Sequence, residues 1–355
     1  MSAALPVILV GCDPELFVQD SKTKAFISAR NLLPGTKKEP FPVPKGAIQV
    51  DGVAAEFNII PTSSPADFIN NIKTVLSTLK ERIGSGKRLE IVPTATFSEE
   101  AWGKIPVSAK ILGCDPDYNA YTLSPNPAPN PHGRPMRTAA GHVHVGFLSG
   151  KDQSKDPYNP VHQEDCAAVV RELDFTLGLP SLWWDSDNER RTLYGKAGAY
   201  RPKPYGVEYR TLSNRWLENE RLMEFVHRTA VATVLGMFRG APLLFDLYGE
   251  FAKDAINAGD KTWNKTETGQ KLYRDLYGRI PLPLVVSDKA PTEKKPAPKR
   301  KSLADFAPSP DSSPAFSNVE LATILAQPSA PNVPISGIDI ESIVSDTFDL
   351  GGEAF

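Results

Sequence analysis

Two short segments place polar residues two apart inside otherwise apolar, strand-like runs: His142 and His144 in Gly-His-Val-His-Val-Gly-Phe, and Glu208 and Arg210 in Val-Glu-Tyr-Arg-Thr-Leu. On a strand, residues two apart share a face, so each pair projects into one space while Val143, Val145 and Tyr209 turn the other way. A chain built like this needs a sheet with one polar, enclosed face and one apolar face covered by helices. Further carboxylates recur on strand-like segments at Asp13-Pro-Glu15 and at Asp51 with Glu56, and further cations at Arg190 with Arg191 and at Arg201. Ligands for hard and borderline metal ions beside fixed cations point to a metal–nucleotide site.

The run Pro6–Val18 predicts a strand interrupted at Gly11 and Pro14, because proline cannot donate to a ladder. Ile48–Val50 and Val53–Ile60 predict neighbouring strands kinked at Asp51-Gly52. Ser64 as N-cap, Pro65 at the first helical position, the stripe Phe68, Ile72, Val75, Leu76, Leu79 and Ile83, and a closing Gly84 predict a helix. Leu89–Ala95 predicts a strand, and Ser124–Arg137 a long loop of the kind used as a lid or a binding loop, the candidate lid of the site. Glu164–Leu177 and Glu218–Phe238 predict two more helices, each with one apolar side. Strands and helices alternate without regular βαβ spacing, so the expected class is α+β, a mostly antiparallel sheet backed by helices.

Residues 1–285 are expected to form the catalytic domain. A Pro/Lys/Ser-rich linker follows at 286–317, then a tail at 318–355 whose composition predicts disorder apart from a short docking helix near Asn318–Ala326. That tail is the candidate contact for a protein partner. A net charge of -2 argues against a general nucleic-acid binder, and no apolar run approaches the roughly 20 residues of a membrane span. Three widely spaced cysteines make no disulfide framework, and the expected setting is the cytoplasm. Gly11-Cys-Asp-Pro-Glu15 is echoed by Gly113-Cys-Asp-Pro-Asp117, which reads as a reused turn rather than a repeat.

Glu15 and Glu56 are carboxylates in apolar surroundings, where an unpaired charge is costly. Each either caps a turn or pairs with an arginine, or the two together offer the hard oxygen ligands that Mg2+ takes. Arg190, Arg191, Lys196, Arg201 and Lys203 form either a solvated basic loop or a phosphate grip, since guanidinium forks match phosphate oxygens. No P-loop pattern accompanies them.

Taken in order, Asp13-Pro-Glu15, the run from Asp51 to Asn58, Gly-His-Val-His-Val-Gly-Phe and the stretch 190–214 resemble the phage carboxylate–amine ligases of the glutamine-synthetase and glutamate–cysteine ligase superfamily. The resemblance covers residues 8–240. It implies a glutamine-synthetase-like, antiparallel funnel with ATP entering one end and divalent ions, Mg2+ or alternatively Mn2+, in the middle. It implies Glu15, Glu56, His142 and Glu208 as metal ligands, His144 near the nucleotide, and Arg191 and Arg201 among the phosphate-binding arginines, with Arg190 and Lys196 of the basic segment expected to bind the nucleotide beside them. Arg201 and Arg210, with Glu208, would carry the catalysis, Arg210 facing an acyl phosphate. Pro14 departs from a plain E-x-E strand, so Asp13 is left out of the expected ligand set. The implied reaction joins a small-molecule or peptide carboxylate to an amine, in the host cytoplasm if the chain is phage-encoded. Two other classes remain open, a metal-dependent hydrolase or kinase and a non-catalytic interaction protein.

Overall fold

The computed structural model describes residues 5–111, 117–130, 133–149 and 153–280. The expectations for the linker, the tail and its docking helix lie outside them.

One sheet has the spatial order β1 (Leu9–Cys12), β12 (Val143–Gly146), β14 (Gly206–Tyr209), β13 (Ala199–Lys203), β9 (Tyr118–Asn119) and β10 (Ser124–Pro125). In the other, β3 (Phe26–Ile27), β2 (Glu15–Asp20), β6 (Ala54–Ile59), β5 (Gly46–Asp51) and β4 (Phe41–Val43) follow one another, and β7 (Lys87–Glu90) also pairs with β2. A ribbon joins β8 (Thr94–Thr96) to β11 (Met136–Thr138). All pairings between these strands are antiparallel, in keeping with the absence of a βαβ rhythm.

The strand expected over Pro6–Val18 is in fact two strands in two sheets. Cys12 ends β1, Glu15 starts β2, and the donor that Pro14 lacks would have continued the ladder. Instead the Glu15 amide bonds to the Ala140 carbonyl at 2.9 Å, and the chain crosses from one sheet to the other. Pro93 acts likewise between β7 and β8, dividing the strand expected over Leu89–Ala95.

Helix α1 (Pro65–Ile83) begins where its caps predict, with Ser64 Oγ accepting from the Asp67 amide at 3.2 Å and Gly84 following at φ +79°. Burial outweighs capping here. Enclosing Phe68 completely is worth roughly 1.5–3 kcal/mol, against about 1 kcal/mol for the cap. Short helices α2 (Glu99–Gly103) and α3 (Val107–Lys110) follow.

Helix α4 (Pro160–Leu173) starts ahead of the expected Glu164, because Asn159 caps it and Pro160 fits its first turn. It runs on through a π-helical turn, Asp174–Gly178, into α5 (Leu179–Ser181). Its inner side covers the apolar backs of β13 and β14. Helix α6 (Asn188–Leu193) corrects another expectation, since Arg190 and Arg191 sit on a capped helix rather than on a strand-like or flexible segment. Asp187 caps it, accepting from the Arg190 amide at 3.0 Å. Helix α7 (Glu220–Phe238) packs against α1 and α4. Helices α8 (Leu244–Tyr248), α9 (Phe251–Ala258) and α10 (Glu267–Tyr277) complete the described chain. No described helix is long and apolar enough to cross a membrane.

Candidate active site

The register of the first sheet assembles the site. Gly11 pairs with His144, His144 with Glu208, and Glu208 with Arg201, which sets one polar row across β1, β12, β14 and β13. His142 and Arg210 lie one step along on the same face. The alternate residues Val143, Val145, Val207, Tyr200 and Tyr209 are buried in the core behind.

Asp13, at the crossing between the sheets, completes the row. Its Oδ1 lies 3.4 Å from His142 Nδ1 and 3.1 Å from His144 Nε2, while Glu208 Oε1 lies 3.4 Å from His142 Nδ1. Ligand atoms of Asp13, His142 and Glu208 come within 4.8 Å of one another, a spacing that suits a single metal ion. Asp13 Oδ1, His142 Nε2 and His144 Nε2 are buried without a hydrogen-bond partner, although the first and last are close enough for an ion pair. Donors one imidazole and two carboxylates strong fit a divalent cation.

Glu208 also meets three cations. Its Oε2 is 3.2 Å from Arg201 Nη1 and 3.1 Å from Lys203 Nζ, and its Oε1 pairs with Arg210 Nη1. Burial works against its ionisation, but Arg201 and Lys203 outweigh that and bring its carboxyl down to about 2. Burial and the charge of Arg210 push His142 down to about 4, which keeps it neutral near pH 7, the form that binds metals. His144 is held by the protein itself, with Nδ1 2.5 Å from the Tyr205 hydroxyl and Nε2 toward Asp13. Arg210 is held by Asp117, which accepts from its Nε at 2.9 Å, and it lies over the Tyr194 ring.

Glu15 and Glu56 form a second acid group. They are register partners on β2 and β6, so their side chains share a face. The Ala140 amide donates to Glu15 at 2.8 Å, and Gln49 Nε2 to Glu56 at 2.8 Å. Asp51 belongs with them, paired to Lys37 at 3.0 Å and hydrogen-bonded to Glu15. Burial, then the charge of Asp51, pushes Glu15 up to about 8 and Glu56 well above the usual carboxylate range. Burial also opposes ionisation of Asp51, but Lys37 and Arg137 hold it down, so the negative charge of this group resides there.

Of the expected residues, the structure thus joins His142, His144, Glu208, Arg201 and Arg210, adds Asp13, and groups Glu15 with Glu56 apart from the triad. Arg190 and Arg191 use their forks on the protein. Arg190 donates to the carbonyls of Arg210, Thr211 and Leu212, and Arg191 to those of Asp185 and Asp187, with a 3.2 Å ion pair to the Asp185 carboxylate. Lys196 is half-buried, its carbonyl accepting from Thr211 Oγ1. Sequence reasoning passed over Tyr205, Asp117 and Arg137. Two of the three carried a readable signal: Asp117 ends the echo of Gly11–Glu15, and Tyr205 lies in the turn before the Glu208 strand.

Residues 161–235 match the model of the family described as phage phiEco32-like COOH.NH2 ligase-type 2. That family's description suggests a carboxylate–amine ligase. The matched stretch carries Arg201, Lys203, Glu208 and Arg210, and with them the cationic half of the site. Asp13, His142 and His144, which meet it across the sheet, lie outside the match. No curated protein matches the chain.

Proposed function

We propose that this protein is an ATP-dependent carboxylate–amine ligase working through an acyl phosphate on a glutamine-synthetase-like sheet. The observation that carries the reading is the double environment of Glu208, with the Asp13–His142 pair on one side and Arg201, Lys203 and Arg210 on the other. Asp13, His142 and Glu208 would hold Mg2+. Mg2+ so bound supplies charge neutralisation for the transferring phosphoryl group.

A carboxylate is a poor electrophile and needs activation. Its oxygen attacks the γ-phosphorus of ATP, the bond to the ADP oxygen breaks, and an acyl phosphate forms. Arg210 and Arg201 face the charge that grows on the phosphoryl oxygens, and their fixed positions avoid reorganisation during the step. The amine then attacks the acyl carbon, the C–O bond to phosphate breaks, and the amine loses a proton to leave an amide. Both arginines are anchored by carboxylates, so they are preorganised before substrate arrives.

Calorimetric titration with a non-hydrolysable ATP analogue, with and without Mg2+, tests the reading on the wild type and on Asp13→Asn and Glu208→Gln. Mg2+-dependent binding that both variants weaken, followed by ADP release that needs an acid and an amine together, is the expected result. A folded wild type that binds no nucleotide overturns it.

A further inference from the structure

Arg190 is 1% exposed, and its fork donates to backbone carbonyls. Its Nη1 donates to the Thr211 carbonyl at 2.8 Å, and its Nη2 to those of Arg210 at 3.2 Å and Leu212 at 2.8 Å. One rigid, planar fork therefore grips three successive carbonyls as the chain leaves β14, in charge-assisted bonds stronger than neutral ones. Gly195, at φ +106°, is what lets the fork lie there, for a Cβ on it would come within 2.2 Å of Arg190 Nη1.

The same segment also reaches the Arg210 side chain. Tyr194 closes α6 with its amide on the Arg190 carbonyl at 2.6 Å, and its ring lies 5.2 Å from the Arg210 guanidinium carbon. From the opposite side of the strand, Asp174 in the π-helical turn accepts from the Tyr209 hydroxyl at 2.7 Å and from Thr211 Oγ1 at 3.2 Å. Residues 209–212 are thus gripped on both faces, and Arg210 alone among them points into the site.

We infer that Arg190 is a positioning residue, holding the backbone of 210–212 so that the Arg210 guanidinium stays seated between Glu208, Asp117 and Tyr194. Its catalytic meaning rests on the ligase reading, but the clamp itself does not. Lysine cannot replace it, since an ammonium lacks the planar fork that spans three carbonyls.

The test is the Arg210 Nε–H resonance in 15N spectra of the full chain, assigned by its loss in Arg210→Lys. In the wild type it should be shifted and slow to exchange, as the Asp117 bond requires. Arg190→Lys, with cooperative unfolding retained, should move it to the free-arginine position and speed its exchange. An unchanged resonance in the folded variant overturns the inference. Should Arg190→Lys not fold, Gly195→Ala presses on the same fork without deleting it, and the same two outcomes apply.

Nucleotide-analogue affinity supplies a second readout. Arg190→Lys should weaken binding roughly 10-fold, the worth of a displaced charged hydrogen bond, and should add nothing in an Arg210→Lys background. Independent, additive losses would again overturn the clamp. If the wild type binds no analogue the ligase reading falls, and the resonance still decides the role of Arg190.

Discussion

Asp13 and Glu15 are separated by one proline and serve two different acid groups, Asp13 the His142–Glu208 triad and Glu15 the pair with Glu56. On an unbroken strand they would share a face and a site. The change of sheet at Pro14 turns them apart. Titration with Mn2+ followed by electron paramagnetic resonance should therefore show that Asp13→Asn loses the bound ion while Glu15→Gln keeps it. If Glu15→Gln loses the ion as Asp13→Asn does, the division into two groups is wrong.

Tyr205 should matter as much as a ligand's outer partner usually does. Its hydroxyl holds His144 Nδ1 at 2.5 Å, and His144 Nε2 faces Asp13 at 3.1 Å, so a chain of three side chains orients a triad carboxylate. Tyr205→Phe keeps the ring and removes the anchor. Mn2+ affinity at the triad should fall about 10–100-fold with the unfolding midpoint nearly unchanged. An affinity equal to the wild type would show that His144 needs no anchor.

What could be read in the sequence was what depends on local periodicity. The polar faces of 142–144 and 208–210 followed from the two-residue repeat, and the limits of α1 from Ser64, Pro65 and Gly84. Asp13 could not be placed this way, because its role depends on a change of sheet that only the partners of Cys12 and Glu15 reveal. Arg190 shows a different limit. A guanidinium fork suits phosphate oxygens and backbone carbonyls alike, so composition identified the donor but not the acceptor. Arg137 lies at the end of the stretch 124–137 read as a loop, where no pattern marks a side chain as inward.

Gly141 precedes the histidine strand, and there is no room for a side chain on it. A Cβ would lie 2.3 Å from the Ser213 carbonyl oxygen and 2.5 Å from Trp216 Nε1, which itself donates to the Gly141 carbonyl at 3.0 Å. Gly141→Ala should thus force the 213–216 turn away and destabilise the protein by about 1–3 kcal/mol, the usual cost of overpacking. Urea denaturation should show a lower midpoint with an unchanged slope. A midpoint equal to the wild type would mean that the turn yields freely.

Asp174 gives the stability a pH dependence of known sign. Burial pushes its carboxyl up to about 7, against the pull of hydroxyl donors from Tyr209, Tyr121 and Thr211. An aspartate in the unfolded chain titrates near 3.9, so the native state holds the proton more tightly. The stabilisation is complete below about pH 3.9 and is lost as pH rises through about 7. Between pH 5 and pH 8 this amounts to about 2–3 kcal/mol. Asp174→Asn, neutral at every pH, should lack that component while the other titrating groups continue to act in both proteins. The measurement is the difference in unfolding free energy between wild type and variant at the two pH values. A difference that does not change with pH would place the Asp174 carboxylate in its charged form throughout, stabilised by the three hydroxyls in spite of burial.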